Sequence, residues 1–147
     1  MDEKLELEEE LVTAWVRLTA ALKNTRLTQG MNYNEAIVMM IAYHKYRKDG
    51  EGLVSFKELV TETKMLKSLV NRTIDSLVAE NYLVRQEGED RRTTYVKPVP
   101  ENLEKFLKVH QSSVALARDM IKIIGTEDAE AFVRISENIY NANPFEE

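Results

Sequence analysis

Between Ser55 and Pro98 the chain changes its hydrophobic rhythm twice, and this stretch constrains the fold more than any other. Ser55 with Glu58 three residues on is a helix-capping pattern, and "FKELVTE" behind it is long enough for two turns. A second helical run follows from about Lys67 to Glu80, with Val70, Ile74 and Leu77 on one face and Leu66 leading in. Asn81 ends it, because asparagine tolerates the left-handed backbone of a C-cap. Two short helices joined by a tight turn predict a helix-turn-helix. The next runs, "YLVRQ" and "RRTTYVK", favour strands, and "EGED" between them supplies a turn. They predict a β-hairpin, stopped by Pro98. A helix-turn-helix followed by a hairpin is a winged helix.

The flanks are helical. From about 5 to 27 the apolar residues Leu11, Trp15, Leu18 and Leu22 mark one helix face. Asn32 and Glu35 form a capping pattern before "EAIVMMIAYHKYR", whose basic end suits the negative pole of the helix dipole. After the hairpin, Pro100 fits the first turn of a long helix, with Leu103, Leu107, His110, Val114, Ala117, Ile121 and Ile124 along one face. Gly125 closes it, and Thr126 caps a last helix carrying Phe132, Ile135 and Ile139. The expected fold is mainly α with a small β-hairpin wing. The winged part spans 32–100, and helices at 5–27 and 101–142 flank it within one domain of 1–147. Terminal amphipathic helices that a compact winged unit cannot cover call for a partner, and a two-fold dimer supplies one.

The formal net charge of -5 is unevenly placed. The first ten residues hold six acids and one base, and the other 137 hold 19 of each. A neutral body leaves binding to local patches. One patch is the start of the second short helix, where Lys67, Ser68, Asn71 and Arg72 share a face, with Lys64 just before it. Arginine, asparagine and serine read base edges in the major groove, and lysine favours phosphate. The other patch is the wing tip, "EDRRT", with Arg91 and Arg92 side by side. A wing beside a recognition helix reaches the minor groove, whose narrow A·T tracts attract arginine. Asp90 next to them is placed to pair with an arginine and fix its direction.

The span from about 32 to 101 resembles the MarR family of bacterial transcription regulators. The resemblance rests on "MLKSLVNRTIDSLVAENYLVR", on Asp90 followed two residues later by Arg92, and on the flanking helices. It implies a cytoplasmic homodimer on double-stranded DNA. The helix from Lys67 would enter the major groove and Arg92 the minor groove, with Asp90 orienting it. It also implies a small-molecule effector site between the dimer helices and the winged part. Trp15, Met40, Tyr43 and His44 are its candidates here, and the same residues suit an ordinary core. The chain departs from the family's habits at Asn81, where glycine is common, and at Leu66, where a capping serine or threonine is common. "KPVPEN" replaces the family's usual entry to the long helix.

Other functions have less support. GxSxG, Walker and HExxH motifs are missing, and the chain holds two histidines and no cysteine, so neither an enzyme nor a cofactor is expected. His44 and His110 lie on different helices and meet only if the fold brings them together; two histidines without a spaced motif do not define a metal site. The apolar runs are too short for a membrane helix, and the acidic start does not read as a signal peptide. The alternative to DNA binding is a winged-helix module that binds protein. The two differ in whether Lys64, Lys67, Arg72, Arg91 and Arg92 gather on one face of a dimer.

Overall fold

The computed structural model describes residues 3–24, 30–88, 90 and 92–145. Among the described residues six α-helices and three strands occur, in the expected order but for the added β1: α1 (Glu3–Asn24), α2 (Tyr33–Asp49), β1 (Val54–Ser55), α3 (Phe56–Thr63), α4 (Lys67–Ala79), β2 (Leu83–Glu87), β3 (Thr94–Pro98), α5 (Leu103–Ile124) and α6 (Thr126–Ala142). The fold is a winged helix-turn-helix with long helices on either side.

α2 is the axis of the winged part and packs against α3, α4, α5 and β3. Its apolar side, Val38, Met39 and Ala42, is fully buried with Val54, Leu59, Val70, Leu77 and Leu83. Burying an aliphatic side chain of this size contributes about 1.5–3 kcal/mol. α2 starts with the expected capping box. Asn32 Oδ1 accepts the Glu35 amide at 2.8 Å, and Glu35 Oε1 accepts the Asn32 amide at 3.0 Å. Glu35 is itself buried, and its other oxygen, Oε2, accepts a hydrogen bond from the Ser76 hydroxyl on α4 at 3.0 Å. One carboxylate thus caps the central helix and holds the second helix of the helix-turn-helix against it.

The sheet has an edge that the sequence conceals. The hairpin pairs Leu83 with Pro98 through Glu87 with Thr94, as an antiparallel ladder. β1 then adds Val54 and Ser55 to the other side of β3, opposite Val96 and Tyr95. Two residues are too few for a period-2 pattern, and Ser55 also caps α3 by accepting the Glu58 amide at 3.0 Å. Gly52 lets the backbone approach here. It sits at φ 74°, and a Cβ there would lie 2.9 Å from Pro98 Cδ and Tyr46 Cβ.

The starts of α5 and α6 differ from expectation. Pro100 opens a single 3-10 turn, Pro100–Asn102, and α5 begins only at Leu103. Thr126 is already inside α6. Gly125, at φ 88° and ψ 162°, turns the chain in one residue, so the position before α6 falls on a residue with no side chain to cap with. α5 also has two faces. Leu103, Phe106 and Val109 are buried against the winged core, whereas Val114, Ile121 and Ile124 are each 43% exposed. The long stripe read from the sequence starts on the buried Leu103, runs out to the exposed face at Val114, Ile121 and Ile124, and misses Phe106 and Val109. α1 and α6 contribute no described residue to the buried set, and their stripes stand open: Leu11, Trp15, Phe132 and Ile135 are all more than half exposed.

Replacing Glu35 by alanine removes half the capping box and strands the Ser76 hydroxyl. The variant is expected to lose about 2–3 kcal/mol in urea unfolding. A loss below about 0.5 kcal/mol, the size of an ordinary surface substitution, would show that Glu35 does not hold the two helices.

Candidate nucleic-acid interface

α4 divides cleanly. Val70, Thr73, Ile74 and Leu77 are buried, which fixes the helix's rotation about its axis. Lys67, Ser68, Asn71 and Arg72 are consequently exposed together on the opposite side. Thr73 is kept in the interior by donating its hydroxyl to the Leu69 carbonyl at 2.7 Å. The turn before α4 holds Lys64, the C-cap of α3, at φ 62°.

Leu66 is the N-cap of α4, and no side-chain hydrogen bond caps the helix there. The first amides of α4 are left for an outside acceptor, the arrangement that favours phosphate at a helix start. Leu66 is 76% exposed beside them. An exposed leucine at this point can meet a thymine methyl in the major groove. In the sequence Leu66 leads the apolar run and stands where a capping serine or threonine is common, and the structure adds that its side chain is exposed.

In the wing, Asp90 meets Arg92 through the backbone and not through the guanidinium. Its Oδ1 accepts the Arg92 amide at 3.1 Å, and its carbonyl accepts the Thr93 amide at 3.0 Å. This is an Asx-turn, which shapes the loop from which the exposed Arg92 projects. Arg91 lies outside the described residues. A second link was not anticipated: Arg85 on β2 pairs with Asp75 on α4 and ties the base of the wing to the basic helix. Both partners are substantially exposed, so the pair orients more than it stabilises.

A cavity of about 560 Å³ lies among α2, α3 and the end of α6. Met40 and His44 line it, together with Lys45, Glu58, Glu62 and Tyr140. The other two pocket candidates are elsewhere. Trp15 is on the outer α1, 53% exposed. Tyr43 sits one helical step round from Met40 and His44, its ring 5.6 Å from Phe106 and 5.9 Å from His110. Lys45 pairs with Glu58 across the cavity at 3.4 Å.

The two histidines do meet. Their ring centroids are 6.2 Å apart where α2 meets α5, and His110 stacks on Phe106. No group of three or more His, Cys, Asp or Glu placed to hold a metal occurs among the described residues. Burial lowers the His110 pKa below its ordinary 6.5, and the His44 charge adds to this. Below pH 6.5 the unfolded chain therefore takes up protons at this site more readily than the folded one, so stability is present at neutral pH and falls as the pH drops. The melting temperature is expected to fall between pH 7.5 and about 5.5, and less steeply in His110→Gln. Equal slopes in the two proteins would remove His110 from the account.

The fold and this exposed basic helix define a winged helix-turn-helix protein. Residues 36–93, most of the winged part, match the model of the MarR family. The whole chain shares its fold with solved transcriptional regulators. One is AbsC, a MarR family regulator from Streptomyces coelicolor, at 18% identity and TM-score 0.77, covering 99% of this chain and 97% of that one. A second is BldR from Sulfolobus solfataricus, at 19% identity and TM-score 0.75, with 96% of each chain covered. A third is BpsR from Bordetella bronchiseptica, whose DNA binding is regulated by 6-hydroxynicotinic acid, at 17% identity and TM-score 0.71, covering 91% of this chain and 98% of that one. No curated protein matches the sequence. No helix among the described residues is long and apolar enough to cross a membrane.

Proposed function

We propose that the protein is a dimeric, sequence-specific DNA-binding regulator of transcription, acting in the cytoplasm as a repressor on a pseudo-palindromic operator. The observation that carries this reading is the face of α4. Lys67, Ser68, Asn71 and Arg72 are exposed on a helix whose opposite face is locked into the core. α4 enters the major groove in this reading, with Ser68, Asn71 and Arg72 on base edges and Lys64 and Lys67 on phosphate. Arg92, with Arg91 beside it, reaches the minor groove, and the Asp90 turn aims it.

The uncovered stripes support a dimer. Leu11 and Trp15 on α1 and Phe132 and Ile135 on α6 are more than half exposed, and the outer face of α5 adds Val114, Ile121 and Ile124. Apolar area of this extent on three helices marks an interaction surface. A two-fold dimer closes it and places two copies of α4 about one DNA turn, ~34 Å, apart. A small effector fits the cavity beside Met40 and His44, in keeping with the ligand-regulated DNA binding of BpsR. An occupant that binds one spacing of the α4 pair better than another shifts the dimer towards it.

Arg92→Ala is expected to weaken binding to an A·T-flanked site by about tenfold or more, with an unchanged melting temperature. Fluorescence anisotropy of labelled duplexes at low salt checks it. Unchanged affinity, together with a flat salt dependence of the wild type, would favour the protein-binding module instead.

A further inference from the structure

Lys64 occupies a backbone conformation that its residue type avoids. It ends α3 at φ 62° and ψ 14°, a left-handed position that glycine or asparagine usually fills. Its neighbourhood explains how it is kept there. The Tyr140 hydroxyl, near the end of α6, donates to the Glu62 carbonyl at 2.7 Å. The Lys64 ammonium lies 4.7 Å from the centroid of the same ring. α6 therefore grips the end of α3 at two points, the Glu62 carbonyl and the Lys64 side chain at the turn. Tyr140 also lines the cavity between α2 and α3, so the grip and the cavity share a wall.

We propose that Tyr140 is an autoinhibitory latch whose ring competes with DNA phosphate for the Lys64 ammonium. The inference rests on the DNA-binding reading above. An ammonium over an accessible tyrosine ring is weakly held, and a phosphate contact gains from counterion release by an amount that salt tunes. DNA can therefore take the lysine, while Tyr140 sets a threshold for doing so. A shift of α6, or an occupant of the cavity that displaces the ring, changes that threshold without touching α4.

Tyr140→Leu removes both the ring and the hydroxyl. Binding to a fixed 24-base-pair duplex is followed by anisotropy between 50 and 200 mM salt. The wild type gives up the ring contact when it binds, and the variant has none to give up. Binding is expected to tighten by about two- to fivefold per protomer at each salt concentration, with the log-log salt slope unchanged because the bound complex holds the same phosphate contacts. Adding Lys64→Met should cancel the gain. Unchanged or weaker binding by Tyr140→Leu, or a gain that survives Lys64→Met, overturns the latch.

A second measurement needs no variant at position 140. The lysines of the wild type are reductively methylated with ¹³C, and the Lys64 signal is identified by its absence in Lys64→Arg. Over the ring it is expected upfield of the other lysines, and it should move to their position when the duplex binds. A signal that is never upfield, or that stays upfield on the bound duplex, overturns the latch. A wild type that binds no duplex at 50 mM salt overturns the proposed function itself, so the two failures are separable.

Discussion

The buried Glu35 carboxylate is the constraint on which the rest of the winged part depends. It closes the capping box of α2 with one oxygen and holds Ser76 of α4 with the other. The relative position of these helices decides which side of α4 faces the core. With Val70, Ile74 and Leu77 turned inward, the polar residues Lys67, Ser68, Asn71 and Arg72 have only the outside left. The chemistry of the outer face is thus set by an interaction on the inner one. A buried carboxylate left unpaired would cost several kcal/mol, so the hydrogen bonds that satisfy it also make the arrangement hard to change.

Much of this was legible in the sequence because it is local. Capping at Asn32 and Ser55, the left-handed end at Asn81, the apolar stripe of α4 and the hairpin each depend on residues a few positions apart. What escaped depends on distant pairing. The Glu35–Ser76 bond spans 41 positions and the Tyr140–Glu62 bond 78, and neither leaves a periodic trace. Strand β1 owes its existence to β3, as two residues have no rhythm of their own. Phe106 and Val109 were missed because α5 is apolar on two sides and the sequence does not say which one meets the winged core.

The candidate site follows the same division. The exposure of the α4 face could be anticipated from its spacing. The behaviour of Asp90 could not, because a carboxylate two residues before an arginine can accept from its backbone or from its guanidinium, and the turn favours the backbone. Of the four pocket candidates, Met40 and His44 lie one turn apart on α2 and share the cavity. Tyr43, adjacent in sequence, is carried about 100° round the helix onto the aromatic cluster.

The two halves of the proposed mechanism meet in α6. Its apolar stripe is exposed and suits a second copy of the chain, while its end holds the turn before α4. Assembly and DNA contact are then linked through one rigid helix. The central claim is that two copies of α4 read DNA as a symmetric pair, and selection of bound duplexes from a random pool by the purified protein tests it most directly. The account predicts a two-fold symmetric consensus with half-site centres about 10 base pairs apart and A·T-rich flanks. An asymmetric consensus, or a pool with no enrichment, would contradict it.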